Sequence, residues 1–517
     1  MVTKQEKMQK MAARINTLFL FLLFISTTAL QAQNSQAMPE FQLEKQELEA
    51  HLRFLAADEL QGRRTGEMGN NIAARYIAVQ LEAMGLTPPP GQEGFYQKAD
   101  FEATTPPTEA AFILSNTEYK QGEGLFMMTG NVDGLKTEAV FANYGWADPE
   151  SGYDDYKSLD VKGKAVIVLP GTPEGDDPMA VFTAMRKKRE IAQEKGAAAL
   201  IELYRLQFPW AFFRSYFNKE NLSLAENQGI AAENTLAYGW LKEQNDGSIQ
   251  KLQEGKKLKV ELSSSGYKHR LAPSQNVAGI ITGSDPELRD EYVVLTAHYD
   301  HVGTGKNGGG AYSAKDSIFN GSRDNAMGVA ALLAAAKSLA EHPPRRSVLI
   351  LAFTGEELGL LGSQFYASHP LIPLKQTVFN LNTDGAGYND VSYVSAIGFG
   401  RTGTDQLIEA GAHVFGLDVF PNPAPEQGLF DRSDNVSFAA KGVPAMTISP
   451  GMTSFDEQIG KYYHQVADNP DTIDFDYLLK YSQAFARMAR LIADEQERPQ
   501  WAEGDKYEAA GKALYGK

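Results

Sequence analysis

From residue 276 onward the chain alternates short strand-like runs with longer helix-like ones, and this alternation limits its fold more than any other feature. Strands are expected at 292–297, 347–353, 377–382 and 444–449, and helices at 326–340, 405–415 and 477–493. Such a pattern predicts an α/β fold: a mainly parallel mixed sheet sandwiched by helices. Upstream, Leu43, Leu48, Leu52 and Leu55, then Ile72, Tyr76, Ile77, Leu81 and Met84, recur at helical spacing until Pro88-Pro89-Pro90-Gly91 ends the pattern. Residues 120–265 read differently. Short runs such as Lys164-Ala165-Val166-Ile167-Val168-Leu169 sit between Gly- and Asp-rich turns, with one charged helix at 183–195. The 517 residues exceed the ~250–300 at which one core stops growing. The expected division is a leader at 1–32, an N-terminal part of the main domain at 33–118, a small β-rich insert at 119–265, the main domain at 266–497 and a tail at 498–517.

In an open α/β sheet, ligands bind outside the carboxyl ends of the strands, and the reactive side chains of this sequence gather there. His298-Tyr299-Asp300-His301 closes the strand at 292–297. Glu356-Glu357 follows the strand ending at Phe353, and Asp384 follows the one through Asn382. Asp324 precedes the Ala-rich helix, and His464 lies in Tyr462-Tyr463-His464-Gln465. Singly, a strand-end His is a core residue, an Asp before a helix is an N-cap, and a Glu pair in a turn is solvated surface. Together, imidazoles and carboxylates suit zinc or a similar divalent ion. One carboxylate bridging two ions, with another left to move protons, is a hydrolase pattern.

Composition removes competing chemistries. With no cysteine there are no disulfides, thiolate metal sites or thiol nucleophiles. A net charge of −16 gives no footprint for nucleic acid or an anionic membrane surface. Lys4, Lys7, Lys10 and Arg14 followed by a mostly apolar stretch from Ile15 to Leu30, with Ala32 before the expected cut, read as an export signal. The expected mature protein is periplasmic or extracellular, without stable membrane insertion. Its oligomeric state is open.

These residues resemble the M28 family of zinc peptidases, the aminopeptidase-type metalloproteases with two metal ions. The resemblance rests on His298-x-Asp300, Asp324-Asn325, Glu356-Glu357, Asn382-x-Asp384 and Tyr463-His464 in order, and on Phe54 to Arg63 upstream. It implies a zinc exopeptidase-like fold holding two Zn2+ ions. Asp324 would bridge them, His298 and Asp384 completing one ion and Glu357 and His464 the other. Glu356 would be the general base, Asp300 would orient His298, and Tyr463 would donate to the oxyanion. The resemblance further implies a cis peptide at Asp324–Asn325. Peptides are the implied substrates, with N-terminal residues released. The same site also serves carboxypeptidases and dipeptide-releasing enzymes, and a receptor-like binding protein is the non-enzymatic alternative. The insert resembles a protease-associated domain, carried by Asp154-Asp155-Tyr156, Asp160 to Val166 and Lys195 to Ile201. At Ser433-Asp434-Asn435 many relatives have Ser-Asp-His, so no imidazole is available there.

Other signals take structural readings. Gly398-Phe399-Gly400-Arg401-Thr402-Gly403 spells a dinucleotide fingerprint, but in the middle of a domain rather than at its start, and reads as a tight turn. The aromatic run Phe208 to Phe217 reads as packing within the insert or against the main domain, with a substrate- or partner-facing apolar patch as the alternative. His301, His51, His269, His342, His369 and His413 read as structural histidines.

Overall fold

The computed structural model describes residues 42–149, 151–175, 178–207, 209–225 and 236–516. The expected leader at 1–32 and Phe208 lie outside them. The chain divides into two compact units, one made of residues 1–64, 68–97 and 275–517, the other of residues 65–67 and 98–274.

The first unit is the α/β fold. Its strands are β1 (Lys268–Ile281, its second half in this unit), β2 (Tyr292–His298), β3 (Ser347–Phe353), β4 (Thr377–Thr383), β5 (Tyr393–Ile397), β6 (Asp418–Pro421) and β7 (Ala445–Pro450), ordered β1-β3-β2-β4-β7-β5-β6. The four central strands β3, β2, β4 and β7 are parallel, while β1 and β5 join antiparallel. β3 and β4 are buried along their whole length; β3 reads as a continuous apolar run, whereas β4 carries Asn380 and Asn382 into the interior, where their amides are hydrogen-bonded. The helices are α1 (Lys45–Leu55), α2 (Met68–Ala83), α3 (Met327–Glu341), α4 (Leu361–Ser368), α5 (Asp405–His413), α6 (Asn435–Ala439), α7 (Phe475–Asp494) and α8 (Glu508–Tyr515).

α3 is rich in Ala and Leu and is buried on almost every side. Its small side chains let α7 and α1 pack closely against it. α7 carries the clearest amphipathic pattern, burying Tyr477, Leu478, Tyr481, Phe485, Met488 and Ile492, and starts at Asp474, whose carboxylate accepts from the backbone N–H groups of Asp476 and Tyr477. One core lies under this face of the sheet and a second, around Phe353, Tyr366, Phe438 and Trp501, under the other. Gly398 to Gly403 is a turn after β5, with Gly398, Gly400 and Gly403 at positive φ. No helix among the described residues is long and apolar enough to cross a membrane.

The second unit is built on an eight-stranded sheet, running in spatial order Thr117–Lys120, Glu109–Leu114, Leu258–Ser265, Val132–Phe141, Ala165–Val168, Ala199–Leu203, Ala237–Leu241 and Leu125–Thr129. It has apolar clusters of its own. Inside it, Lys188 Nζ and the Tyr238 hydroxyl both donate to the Glu202 carboxylate at 2.7 Å, with Lys188 and Glu202 fully buried. The aromatic run forms the helix Trp210–Phe217, which buries Trp210 and Phe213 and leaves Phe212 and Tyr216 exposed.

Candidate metal centre

Because β2, β3, β4 and β7 run parallel, their carboxyl ends share one edge. Register brings His298 of β2 level with Phe353 of β3, three residues before Glu356. Asp384 follows the last residue of β4. Asp324 comes from the turn before α3, which Asn325 fastens: its side-chain amide donates to the Thr383 carbonyl at 2.9 Å, and its oxygen accepts from the Gly328 N–H at 3.2 Å. The Asp324–Asn325 peptide is cis. Gly321 opens this turn at φ 61°, where a Cβ would lie 2.3 Å from the Asp324 carbonyl oxygen and 2.6 Å from the His301 ring. Only glycine fits there.

Two groups of ligand atoms result, each gathered within 4.8 Å: His298, Glu356 and Asp384 in one, and His301, Asp324, Glu357 and His464 in the other. Asp324 joins them. Its Oδ1 lies 3.3 Å from His298 Nε2 and its Oδ2 3.1 Å from His464 Nε2. His298 Nε2 also lies 3.1 Å from Asp384 Oδ1, and His464 Nε2 lies 3.0 Å from Glu357 Oε2. Three imidazoles among crowded carboxylates are a donor set a borderline divalent cation takes. The residues therefore fit zinc.

The residues expected at the site from sequence gather at this edge of the sheet, but two points go beyond that expectation. Asp300 is buried behind His298, whose Nδ1 is 3.3 Å from the Asp300 carbonyl oxygen. The Asp300 carboxylate itself accepts from the Glu356 backbone N–H at 3.2 Å, so it positions both residues. His301, read above as structural, instead joins the cluster: its Nδ1 is 2.6 Å from Glu357 Oε1, and its Nε2 is buried without a hydrogen-bond partner. The spacing His298-x-x-His301 just past a strand end was the available signal.

A hydrogen-bonded chain holds Asp384 from behind. The Thr296 hydroxyl donates to Asn382 at 2.7 Å, the Asn382 amide donates to Ser433 at 2.8 Å, and Ser433 donates to Asp384 Oδ2 at 2.5 Å. Asn435, where an imidazole is absent, is buried and accepts from the Thr447 hydroxyl. Arg323 clamps the Asp324 turn to the segment after His464. Its guanidinium donates to Asp468 at 2.8 Å and to Thr472, and lies 3.7 Å over the Tyr462 ring.

Electrostatics separate the two adjacent glutamates. Burial holds the Glu356 carboxyl well above the usual carboxylate range; His298 opposes this, and Asp384 and Glu357 add to it. Burial would raise Glu357 too, but His464 and His301 bring it down to about 2. His464 goes the other way: Glu357 and Asp324 outweigh the burial that would lower it and push it up to about 11. Neighbouring acids forced apart in this way mark out distinct roles. Tyr463 stacks on His464 at 4.1 Å, and burial, then Asp324 and Glu357, keep its phenol protonated. An open cleft leads to Asp324, Glu356, Glu357, Asp384 and Tyr463.

Residues 276–489 match the peptidase family M28. A vacuolar membrane protease of Lachancea thermotolerans is 30% identical over 159 residues, 31% of this chain and 14% of the relative. Aminopeptidase YwaD of Bacillus subtilis is 25% identical over 328 residues, 62% of this chain and 61% of the relative. The chain thus aligns with less than two thirds of either. Among solved structures, an aminopeptidase from Aneurinibacillus sp. strain AM-1 superimposes with a TM-score of 0.53 at 19% identity, covering 89% of this chain and 95% of that one. That likeness is one of fold.

Proposed function

Because the chain carries a peptidase family M28 domain over residues 276–489, we propose that it is an exported zinc exopeptidase that uses two ions to release N-terminal residues from peptides. The observation that carries this reading is the position of Asp324, one carboxylate reaching both histidine-bearing groups at 3.3 and 3.1 Å. His298, Asp324 and Asp384 would hold one ion, and Asp324, Glu357 and His464 the other. Bound there, zinc supplies Lewis-acid polarisation of the scissile carbonyl and makes water more acidic.

The chain's own residues do the rest. Glu356 takes a proton from the attacking water and delivers it to the amine nitrogen as the C–N bond breaks. The Tyr463 hydroxyl donates to the oxyanion of the tetrahedral intermediate. Asp300 fixes His298 and the Glu356 backbone together. The acidic lining of the cleft suits a positively charged N-terminal amine, which favours release from that end. One observation favours a carboxypeptidase on the same site instead: a single exposed cation, Arg432, also lines the cleft. The strand-rich unit of residues 98–274 is read as a protease-associated module.

A peptide mixture with free and acetylated N-termini, followed by mass spectrometry, tests the reading. Stepwise loss from free N-termini alone supports it, and loss from the carboxyl end moves the protein to the second reading. Glu356→Gln should keep the fold and two zinc ions per chain while turnover falls roughly 10²- to 10⁴-fold, the usual worth of a general base. Wild-type turnover in that variant would remove Glu356 from the mechanism.

A further inference from the structure

The cleft that opens onto Asp324, Glu356, Glu357 and Asp384 is walled by Ile397, Leu429, Met452 and Phe455, and its lining holds one cation, Arg432. Arg432 is exposed, and no carboxylate of the described residues pairs with it. Its neighbour Asp431 is occupied elsewhere, accepting from Lys506 Nζ at 2.6 Å and from the Tyr507 hydroxyl at 3.0 Å. Other arginines of this unit are committed to the fold. Arg63 donates to the backbone carbonyls of Leu55, Tyr299, Asn320 and Gly321, Arg323 binds Asp468, Arg346 and Arg498 bind Glu291, and Arg401 binds Asp505. Arg432 has no such duty, yet it lines the same cleft as Tyr463.

We propose, resting on the peptidase reading above, that Arg432 anchors a carboxylate of the substrate. The chemistry of the cleft divides the work. Its carboxylates face the histidines, the proton transfer and a substrate amine, whereas the guanidinium offers a planar fork that matches a carboxylate with two parallel N–H···O bonds. The apolar wall beside it gives a methylene stem somewhere to lie. A peptide can present that carboxylate from two sources: an acidic side chain next to the scissile bond, or the terminal carboxylate of a peptide only two or three residues long.

Calorimetric binding to zinc-loaded Glu356→Gln protein, in which turnover is suppressed, separates these sources. Glu-Ala-Ala amide against Gln-Ala-Ala amide reads the side chain, and Leu-Ala and Leu-Ala-Ala acids against their amides read the terminus. In at least one pair the carboxylate member should bind roughly 10- to 100-fold tighter, the worth of a charge-assisted hydrogen-bonded pair. Adding Arg432→Gln should erase that ratio, and Arg432→Lys should keep part of it. Equal affinities within every pair, or a ratio that survives Arg432→Gln, overturn the proposal. Hydrolysis of the same peptides by the wild-type protein is followed in parallel. If none is cut, the peptidase reading fails, while the binding ratios still decide the role of Arg432.

Discussion

At the scale of single residues, this site is defined by carboxyl groups of one chemistry held in opposite states. Glu357 is drawn down to about 2 by His464 and His301 against its burial. Asp434, fully buried on the segment that carries Ser433, is pushed up to about 7 by burial, then by Asp384 and Asp300, with His298 opposing. The sign of its effect on stability follows directly. An unfolded Asp titrates near ~3.9, so between about pH 4 and pH 7 the folded, metal-free chain holds a proton at Asp434 that the unfolded chain has lost. Stability contributed by this group is therefore complete below pH 4 and declines as pH rises to 7, by up to on the order of 4 kcal/mol. Asp434→Asn should remove that decline. Chelated variant and chelated wild type should melt alike near pH 4, with the variant melting higher at pH 8. Parallel pH profiles for the two proteins would show that the Asp434 carboxyl is not held neutral by the fold.

At the scale of elements, the strands that build the site could be read closely from sequence. The expected strand at 347–353 is β3 itself, and those at 292–297 and 377–382 each gain one residue in β2 and β4. They were legible because buried strands are rich in apolar and β-branched residues and because Gly and charged residues mark their ends. The expected helix at 405–415 ends earlier, at His413, since helix ends are set by local capping more than by apolar spacing. What sequence could not supply is lateral register. Neither the Asp300 carboxylate meeting the Glu356 N–H nor Ser433 meeting Asp384 follows from any spacing along the chain. His301 fell between these cases. The tail of β2 turns sharply enough that His298 reaches Asp384 while His301, three residues on, reaches Glu357, so one loop serves both ligand groups. His301 is thus expected to orient Glu357, as partners behind metal ligands do. In His301→Asn, zinc titration should resolve one site of wild-type affinity and one weakened roughly 10- to 100-fold. Two sites of unchanged affinity would return His301 to a packing role.

At the scale of the whole molecule, the site belongs wholly to one of two units. All the ligand-bearing residues come from 275–517, and each unit has buried apolar clusters drawn only from its own residues. A unit with its own core is a candidate to unfold as its own cooperative step. The interior charges of the two differ in kind. In the second unit the buried Glu202 accepts from Lys188 and from the Tyr238 hydroxyl. The first gathers Asp324, Glu356, Glu357 and Asp384 around His298, His301 and His464, an arrangement whose mutual repulsion a bound cation relieves. Zinc should accordingly stabilise only the first unit, by the linkage that adds about 4 kcal/mol when free metal stands at 1,000 times its dissociation constant. Scanning calorimetry of chelated protein titrated with zinc should show two transitions, one climbing with metal concentration and one fixed. Fragment mapping by limited proteolysis just above the lower transition should assign the fixed one to residues 98–274. A single transition that climbs as a whole would mean that the two units unfold together despite their separate cores, and a metal-independent pair would mean that the cluster at the strand ends binds no ion.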